Sequence, residues 1–371
     1  MKDTAPDPYT MALGKEVAIG SVDKELRLLW EEDKASTNAS LINLAVYSEA
    51  DEAILRNSEK VQAITREHAC RAILIGIDRD CPTASIRAWI TAHCHLSQGR
   101  KSVCCEQLAF QLTGRATGRL RNTVFAHLNS DLPLVFWWQG ELSPIFSERL
   151  YSLIDRFVFD SSEWSNPLES FQTLQKARNN TETFLPMDLE WTRSYSMRVA
   201  LAGLFDEPMA ARSIDQIQKV SITAHPSHRM AAMQVLAWIA GCLKWRQGMD
   251  LGLEKAAEDG RYYFESPTGV DVEAYVECDA SSAPLGMVEL SGAGCTVRVS
   301  REAGSSVLKQ ELDGCGHSIS LGSPVGSDEA EDLIVDQLSR GGKNTLYLRT
   351  LPTLLSLIGG SEETPASLSI R

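Results

Sequence analysis

The stretch that decides the fold runs from residue 40 to residue 78: SLINLAVY at Ser40–Tyr47, then a helical pattern, then RAILIGID at Arg71–Asp78. Both octets are apolar and β-prone enough to form buried strands. Between them Ala50, Ile54 and Val61 recur at helical spacing, which indicates an amphipathic helix that covers a sheet. A strand, a helix and a second strand in this order predict a layered α/β domain.

The same alternation continues outward to residue 159. The patterns predict further strands and two helices, in the order Ala84–Leu96 (strand), Ser102–Leu112 (strand), Arg115–Leu128 (helix), Leu134–Trp138 (strand), Phe146–Leu153 (helix) and Arg156–Phe159 (strand). A short helix is predicted at Val22–Glu32, after a flexible N-terminal arm. From Ser161 to Met187 the sequence turns polar, and the domain boundary is predicted there, near Asn180.

The second half has a different periodicity. Val270–Asp279 and Cys295–Ser300 alternate apolar and polar residues, which is typical of an antiparallel sheet with one covered face. A helix from Pro226 to Trp245 is apolar nearly all round and should be buried. Gly322–Ser327 is expected to be a polar hinge before a helix at Asp328–Arg340. The closing apolar segment 346–358 is ambiguous because Pro352 interrupts it.

The fold class follows from these two patterns. We expect an α/β chain, α+β in its second half, with an N-terminal layered α/β domain and a C-terminal domain of helices packed on a largely antiparallel sheet. The predicted parts are 1–35 (arm and short helix), 36–180 (α/β domain), 181–358 (α+β domain) and 359–371 (loose tail).

Composition excludes several classes of function. The formal net charge is -13, which disfavours attraction to nucleic acid. The longest apolar stretch, Ala231–Leu243, is too short to span a bilayer, so we expect no membrane contact. The N-terminus lacks the apolar core of a secretory signal. The nine cysteines are therefore expected to be reduced and mostly buried thiols in a cytoplasmic protein.

Three arginines follow a glycine and are the best candidates for an anion site. Arg115, Arg119 and Arg121 lie at the start of a predicted helix, where backbone amides and the dipole favour negative charge. The alternative is a solvated basic helix start. The segment also lacks the third glycine and the Lys-Ser/Thr ending of a nucleotide-binding loop. We favour the solvated interpretation and expect no cofactor.

A histidine-rich strand is the most metal-like string. On a strand His93 and His95 point to the same face, where Cys104 or Cys105 could join them as zinc ligands. Paired ligands across a tight loop are missing, so a strand with partly buried cysteines is favoured and no metal is expected. No serine-hydrolase elbow occurs either, and no catalytic residue is assigned.

Two adjacent tryptophans mark the end of a predicted buried strand. Since successive strand residues face opposite sides of a sheet, Trp137 and Trp138 would fill both layers at its carboxyl end. Open α/β sheets place their binding sites at that end. We expect at least one indole to pack in the core and the other to line a binding surface.

Three ordered strings resemble one family. They are REHACR at Arg66–Arg71, DLPLVFWWQG at Asp131–Gly140 and DLEWTR at Asp188–Arg193, and their order and spacing are similar to those of the OpcA family, the glucose-6-phosphate dehydrogenase assembly proteins. The resemblance covers roughly residues 40–300. It implies a non-catalytic partner that binds glucose-6-phosphate dehydrogenase, favours the enzyme's active oligomer and raises its activity in the oxidative pentose phosphate pathway.

The resemblance transfers no contact residues, so the docking surface is a separate hypothesis. Aromatic and arginine side chains are the usual anchors of interfaces. They direct us to the Trp137–Trp138 edge and to the exposed face of the C-terminal sheet, which includes Glu273 and Glu277. The expected partner-binding residues are Trp137, Trp138, Trp191, Arg193 and Arg298.

Two rival functions stay open. One is a sugar-phosphate or nucleotide-binding protein or enzyme that uses the three arginines or a pocket beside Trp138. The other is a zinc-binding structural protein centred on His93 and His95.

Overall fold

A computed structural model describes residues 7–32, 37–38, 40–97, 100–181, 183–247, 260–314, 317–342 and 344–359. The predicted loose tail beyond Gly359 lies outside these residues. The chain forms two compact units. Unit 1 comprises Met1–Ser165, Thr173–Asp188 and Ala330–Gly341, and unit 2 comprises Asn166–Gln172, Leu189–Glu329 and Gly342–Arg371.

Unit 1 is built on a nine-stranded sheet. Its strands are β1 (Lys15–Val17), β2 (Thr37–Asn38), β3 (Ile42–Ser48), β4 (Cys70–Asp78), β5 (Ser85–Ser97), β6 (Arg100–Thr113), β7 (Leu134–Gln139), β8 (Arg156–Phe159) and β9 (Leu185–Asp188). They lie in the order β1-β5-β6-β4-β3-β7-β8-β9, with β2 paired to β6. Strands β6, β4, β3, β7, β8 and β9 are mutually parallel.

That parallel set has the strand order of a Rossmann fold. Numbered along the chain, its six strands lie in the order 3-2-1-4-5-6, and the order reverses between β3 and β7. The long hairpin of β5 and β6 adds an antiparallel strand on one side. The predicted layered α/β domain is therefore confirmed, and a ligand crevice, if present, belongs at the carboxyl ends of β3 and β7.

Helices cover the sheet of unit 1. Those that contact it are α1 (Pro8–Leu13), α2 (Val22–Glu32) and α3 (Ala53–Glu67). Unit 1 also contains α4 (Leu120–Val124), α5 (Glu148–Tyr151) and α11 (Ala330–Arg340), which packs on α3, while α6 (Pro167–Asn180) is divided between the units. The prediction of α2 is confirmed at both ends. The polar tract at 161–187 contains α6 and most of β9, which the sequence pattern did not predict. The signal was present: Phe171, Leu174 and Ala177 recur at helical spacing and are buried.

The N-terminal arm is ordered where the structure describes it, which corrects the expectation of flexibility. Helix α1 and strand β1 lie on β5, and Lys15 to Val17 pair with Ala88 to Ile90. Arg87 on β5 holds both elements, since its guanidinium donates to Glu16 at 2.8 Å and to Asp7 at 2.7 Å.

Unit 2 contains an eight-stranded sheet. Its strands are β10 (Lys219–Ala224), β11 (Arg246–Gln247), β12 (Arg261–Glu265), β13 (Asp271–Cys278), β14 (Leu285–Gly292), β15 (Cys295–Ser300), β16 (Val307–Gly314) and β17 (His317–Pro324). The order is β11-β12-β13-β10-β14-β15-β16-β17. Every neighbouring pair is antiparallel except β10 with β13, which confirms a largely antiparallel sheet.

The helices of unit 2 are α7 (Leu189–Arg193), α8 (Tyr195–Leu204), α9 (Pro208–Ser213), α10 (Arg229–Cys242) and α12 (Thr345–Leu357). Helix α10 packs on β10 and β13, and α8 packs on β15 and β16. As predicted, α10 is buried nearly all round. The predicted hinge at Gly322–Ser327 is partly wrong, because β17 continues to Pro324. Segment 346–358 is helical despite Pro352. Within the described ranges no helix has the length and apolar character needed to cross a bilayer.

Candidate functional site

The carboxyl end of β3 carries acids where a dinucleotide site would carry glycines. After Ser48 come Glu49, Ala50, Asp51 and Glu52, and helix α3 begins only at Ala53. Ser48 Oγ accepts a hydrogen bond from Ala50 N at 3.1 Å within this turn, before the helix begins. Phosphates bind at such a turn through free amides beside glycines. A turn with three carboxylates repels them instead.

Glu49 is held in place by two donors. Tyr47 Oη donates to Glu49 Oε1 at 2.6 Å, and Arg79 Nε donates to Glu49 Oε2 at 2.7 Å. Burial, together with the hydrogen bond to Glu49, raises the pKa of the Tyr47 phenol above its ordinary value. The phenol therefore stays protonated as a donor, and the carboxylate stays fixed at the mouth of the crevice.

The carboxyl end of β7 is closed by contacts within unit 1. The amide of Gly140 donates to Glu163 Oε2 at 2.5 Å, and the amide of Ser165 donates to Glu141. Trp164 Nε1 donates to the carbonyl of Gly140 at 3.3 Å. Two carboxylates thus accept the hydrogen bonds of backbone amides that an anionic ligand would need at this end of the sheet.

The tryptophan pair is buried. Trp137 is 2% exposed and Trp138 is fully buried, so both indoles pack in the core, where the sequence predicted core packing for at least one and a binding surface for the other. Trp138 stacks on Tyr47 at 4.0 Å between ring centroids and donates from Nε1 to the carbonyl of Glu141 at 3.0 Å. Lys60 Nζ lies 5.6 Å from the centroid of the Trp137 ring. The burial leaves almost no surface of either indole for a partner, and partner binding here stays a prediction.

Glu190, in the DLEWTR segment of unit 2, connects this segment to the start of α10. Its side chain is completely buried and accepts from Ala231 N at 3.0 Å, at the first turn of α10. His228 Nδ1 lies 2.9 Å from the same carboxylate, and Arg193 pairs with it directly. Negative charge at a helix N-terminus is stabilised by the dipole and the unpaired amides. This cluster of Glu190, His228 and Arg193 therefore joins α7 to the start of α10.

Trp191 and Arg193 also face inward. Trp191 is 4% exposed and packs against Tyr347 and under the guanidinium of Arg198, which lies 3.4 Å above its ring centroid. Arg193 Nη2 donates to the carbonyl of Asp328 at 3.3 Å. These contacts leave little of either side chain for a partner, so docking at Trp191 and Arg193 stays a hypothesis that the geometry does not favour.

Unlike Trp191 and Arg193, Arg298 is exposed, and it lies on the open face of the eight-stranded sheet. This face carries the side chains that alternate with the buried ones, among them Arg261, Glu273, Tyr275, Glu277, Lys219, Glu289, Arg298, Lys309 and Glu311. They are half-buried or exposed. The structure therefore brings together Arg298, Glu273 and Glu277, the sheet residues predicted for docking, on one face.

The centre of the open face is an ion-paired row. Arg298 Nε donates to Glu289 Oε2 at 2.6 Å, and its Nη1 lies 3.9 Å from Glu311 Oε2. Lys309 Nζ lies 2.6 Å from Glu311 Oε1 and lowers the pKa of that carboxyl. Beside this row, Lys219 Nζ and Arg261 Cζ lie over the Tyr275 ring, each 5.4 Å from the ring centroid. The Arg298 guanidinium and the Tyr275 ring, with charged side chains of both signs around them, could bind a partner protein whose surface also carries both charges.

The three arginines of the anion hypothesis do not begin a long helix. Gly114–Arg119 is a 3₁₀ turn, α4 is a five-residue helix, and 125–127 is another 3₁₀ turn, which corrects the predicted helix at Arg115–Leu128. Arg115, Arg119 and Arg121 are exposed. The aligned dipole that motivated the site is therefore weak, although anion binding itself stays a prediction.

The histidine pair makes hydrogen bonds with polar side chains. His93 Nε2 lies 2.9 Å from Gln107 Oε1, and His95 Nε2 lies 3.1 Å from Thr65 Oγ1. Gln107 Nε2 donates in turn to Ser58 Oγ on α3 at 3.0 Å. Burial lowers the pKa of both imidazoles. In the described part of the chain no group of three His, Cys, Asp or Glu side chains could hold a metal ion.

The cysteines correct the expectation of reduced thiols. Cys94 and Cys104, directly opposite on β5 and β6, form a disulfide. Of the described free cysteines, Cys70, Cys105 and Cys295 are buried, as predicted for most of the thiols, whereas Cys242 and Cys278 are exposed.

Two domain models match the chain over most of its length. One describes the N-terminal domain of a glucose-6-phosphate dehydrogenase subunit, over residues 61–176, and the other describes the C-terminal domain of that subunit, over residues 186–351. Both are models of the OpcA family. The chain belongs to the OpcA family.

Cyanobacterial OpcA proteins are similar along the chain. The OxPP cycle protein OpcA of Synechocystis sp. is 23% identical over 323 residues, which cover 82% of this chain and 66% of the relative. That of Nostoc punctiforme is 25% identical over 328 residues, covering 81% and 65%. For Synechococcus elongatus the identity is 23%, with 81% and 70% covered. The chain thus spans about two thirds of the length of the curated relatives it matches.

Solved structures with a similar outline are oxidoreductases. The 3-ketoreductase KijD10 from Actinomadura kijaniata, in complex with NADP and TDP-benzene, has a TM-score of 0.45 at 11% identity and covers 85% of this chain and 95% of its own. An oxidoreductase from Thermotoga maritima has a TM-score of 0.44 at 11% identity, with 85% and 96% covered. At this level the likeness carries no functional argument.

Replacing the buried carboxylate of this OpcA-family chain tests its structural role. We expect Glu190→Gln to lower the free energy of unfolding by about 3–5 kcal/mol, because the buried Arg193 would lose its nearest counter-charge and keep only the more distant carboxylate of Asp328, at 3.9 Å. Denaturant unfolding measures the change. Glu302→Gln, at an exposed position, is the matched control and should change the stability by less than about 0.5 kcal/mol. Equal stabilities of the two variants would contradict the role.

The partly buried imidazole of His93 predicts a pH dependence. Because the folded-state pKa of His93 lies below its ordinary value, its contribution to stability is complete above the unfolded pKa of about 6.5 and is lost as the pH falls toward the folded pKa. His93→Asn should therefore flatten the decline of unfolding free energy below that pH. His225→Asn, in the turn that precedes α10, is the control and should leave the decline unchanged. Parallel profiles for His93→Asn and the native chain would refute the assignment.

Proposed function

We propose that this chain is a non-catalytic partner of glucose-6-phosphate dehydrogenase that binds the enzyme and favours its active oligomer in the oxidative pentose phosphate cycle. The observation that carries the proposal is the match to both domains of a glucose-6-phosphate dehydrogenase subunit between residues 61 and 351. The relatives named OxPP cycle protein OpcA support the same pathway.

The crevice of unit 1 supports a role without dinucleotide chemistry. At the point where the strand order reverses, Glu49 is fixed by Tyr47 and Arg79, and Glu163 takes the amide of Gly140. Carboxylates in these positions oppose a pyrophosphate, whose binding at this point depends on free amides and glycines. The strand order is thus that of a dinucleotide-binding sheet, but at its reversal point the carboxylates of Glu49 and Glu163 are bound by the chain's own donors.

The open face of unit 2 is the proposed docking surface. It offers Arg298 with an exposed side-chain fraction of 44%, flanked by Glu289 and Glu311, and the Tyr275 ring beside them. Arginine and tyrosine are enriched among residues that dominate binding energy, and a surrounding ring of polar side chains excludes water from such contacts. This proposal retains Arg298 from the predicted docking residues in preference to the buried Trp137, Trp138, Trp191 and Arg193.

Activation then follows from differential binding. A partner shifts the enzyme's equilibrium between oligomers only as far as it prefers the active form. A preference of about 1–3 kcal/mol changes the population ratio by roughly 5- to 150-fold. This range is sufficient to change the enzyme's activity without any group of this chain touching the substrate.

A charge reversal tests the docking surface. Arg298→Glu would place a third carboxylate between Glu289 and Glu311, so we expect the affinity for the dehydrogenase from the same genome to fall about tenfold or more. Titration calorimetry or co-elution of the purified pair measures it. Arg27→Glu, an equally large charge change at an exposed position of unit 1, should leave the affinity unchanged.

The results distinguish an error in the proposed docking surface from an error in the proposed partner. Binding by the native chain that Arg298→Glu leaves intact would remove the open face from the proposal while keeping the partner. No binding by the native chain would remove the partner itself.

A further inference from the structure

Two cations on the open face of unit 2 lie over one aromatic ring. Lys219 is on β10 and Arg261 is on β12, on either side of β13, and both side chains are exposed. Lys219 Nζ and Arg261 Cζ are each 5.4 Å from the centroid of the Tyr275 ring on β13. Among the residues that the structure describes, neither cation forms an ion pair with a carboxylate. We call Lys219, Arg261 and Tyr275 the Tyr275 cluster.

The acid opposite Lys219 is bound by tyrosines instead. Glu273 lies directly across from Lys219 in the pairing of β10 with β13. Tyr263 Oη donates to Glu273 Oε1 at 3.4 Å, and a hydrogen bond with Glu273 raises the pKa of the Tyr275 phenol. Two phenols thus share the carboxylate that could otherwise pair with the lysine, and both cations of the cluster keep an uncompensated charge.

The neighbouring cations of the same face are compensated. Arg298 Nε donates to Glu289 at 2.6 Å. Lys309 Nζ lies 2.6 Å from Glu311. A paired cation must share its carboxylate before it can attract one from a partner, whereas a cation over a ring loses nothing, and its attraction to the ring strengthens when water is excluded. The cations of the Tyr275 cluster therefore gain more from a partner's carboxylate than the paired cations do.

The cost of removing water from these cations decides the chemistry of the partner. An ammonium or guanidinium group that is covered without a counter-charge is strongly destabilised. An apolar or basic surface would leave both groups in that state. An acidic surface supplies the missing carboxylates and also covers the ring, so only an acidic partner segment fits the Tyr275 cluster.

We infer that the Tyr275 cluster is the anchor of the docking surface and receives an acidic segment of glucose-6-phosphate dehydrogenase. The inference rests on the proposed function for the identity of the partner, and it adds the position and the chemistry of the contact. Carboxylates of the segment pair with Lys219 and Arg261 above the Tyr275 ring. Because the chain has a net charge of -13, its surface as a whole repels an acidic segment, and the uncompensated cations direct the segment to the open face.

Neutralising both cations tests the anchor. Lys219→Gln and Arg261→Gln together should weaken binding to the dehydrogenase from the same genome about tenfold or more, measured by titration calorimetry with the full chain. Lys309→Gln together with Arg27→Gln is the matched control. It removes the same charge, from a lysine that is paired with Glu311 and from an exposed arginine of unit 1, and should change the affinity less than about threefold. Thermal unfolding checks that both double variants are folded.

Salt provides a second readout that a loss of folding would not reproduce. Salt screens exposed charges, so the affinity of the native chain should fall between about 50 and 300 mM sodium chloride, and that of Lys219→Gln with Arg261→Gln should fall less steeply. Tyr275→Leu removes the ring but keeps both cations. It should weaken binding while retaining the salt dependence of the native chain.

The contradictory results separate the anchor from the partner. Native binding that the Lys219 and Arg261 variant leaves unchanged, or that the control weakens equally, would overturn the anchor and keep the proposed function. No binding by the native chain would overturn both. Saturable binding of inorganic phosphate to the isolated chain, lost in the Lys219 and Arg261 variant, would assign the cluster to a small anion instead. A double mass of the isolated chain in light scattering, lost in the same variant, would assign it to a second copy.

Discussion

The buried carboxylate of Glu190 is the interaction on which unit 2 depends. It joins α7 to the first turn of α10 through Ala231 N, and it balances Arg193, which would otherwise be a buried cation. Helix α10 in turn packs on β10 and β13 and so fixes the covered face of the eight-stranded sheet. Because the covered face is fixed, the alternating residues, Arg298 among them, must point to the open face.

The ion pair with Glu190 also changes the role that we assign to the residues of the DLEWTR segment. Trp191 and Arg193 resemble interface anchors in the sequence, yet one packs against Tyr347 and the other pairs with Glu190. The described contacts of this string therefore hold unit 2 together. In unit 1, Glu49 and Glu163 likewise make hydrogen bonds with the chain's own groups at the carboxyl ends of β3 and β7, where the strand order would place a ligand.

The sequence predicts those parts of the fold that depend on local periodicity. The strands at SLINLAVY and LVFWW are long apolar runs, and α2 has a clear helical stripe, so their positions follow from their own residues. Helix α6 was missed because polar residues outnumber Phe171, Leu174 and Ala177. Strands β12, β14, β16 and β17 were missed because serines, glycines and charges on their open face dilute the alternation.

Most of the candidate site depends on pairs that are distant in the sequence. Glu190 meets His228 across 38 residues, and Glu163 meets Gly140 across 23. The Arg298–Glu289 pair requires the register of β14 and β15, which the turn at Ala293–Gly294 sets with two residues at positive φ. Burial of Trp138 was foreseeable in principle, since a parallel strand inside a doubly covered sheet has no exposed face. Patterns in a single sequence do not predict which residues of two strands lie opposite each other, so the Arg298–Glu289 pair could not be predicted.

The central claim is that this chain changes the assembly of glucose-6-phosphate dehydrogenase without catalysing a step itself. Sedimentation velocity of the dehydrogenase from the same genome, alone and with increasing amounts of this chain, tests it most directly when the enzyme's specific activity is measured in the same mixtures. The account predicts that the enzyme shifts to a larger species containing both proteins and that activity rises in proportion to that species. An unchanged sedimentation profile with unchanged activity at saturating chain would contradict it.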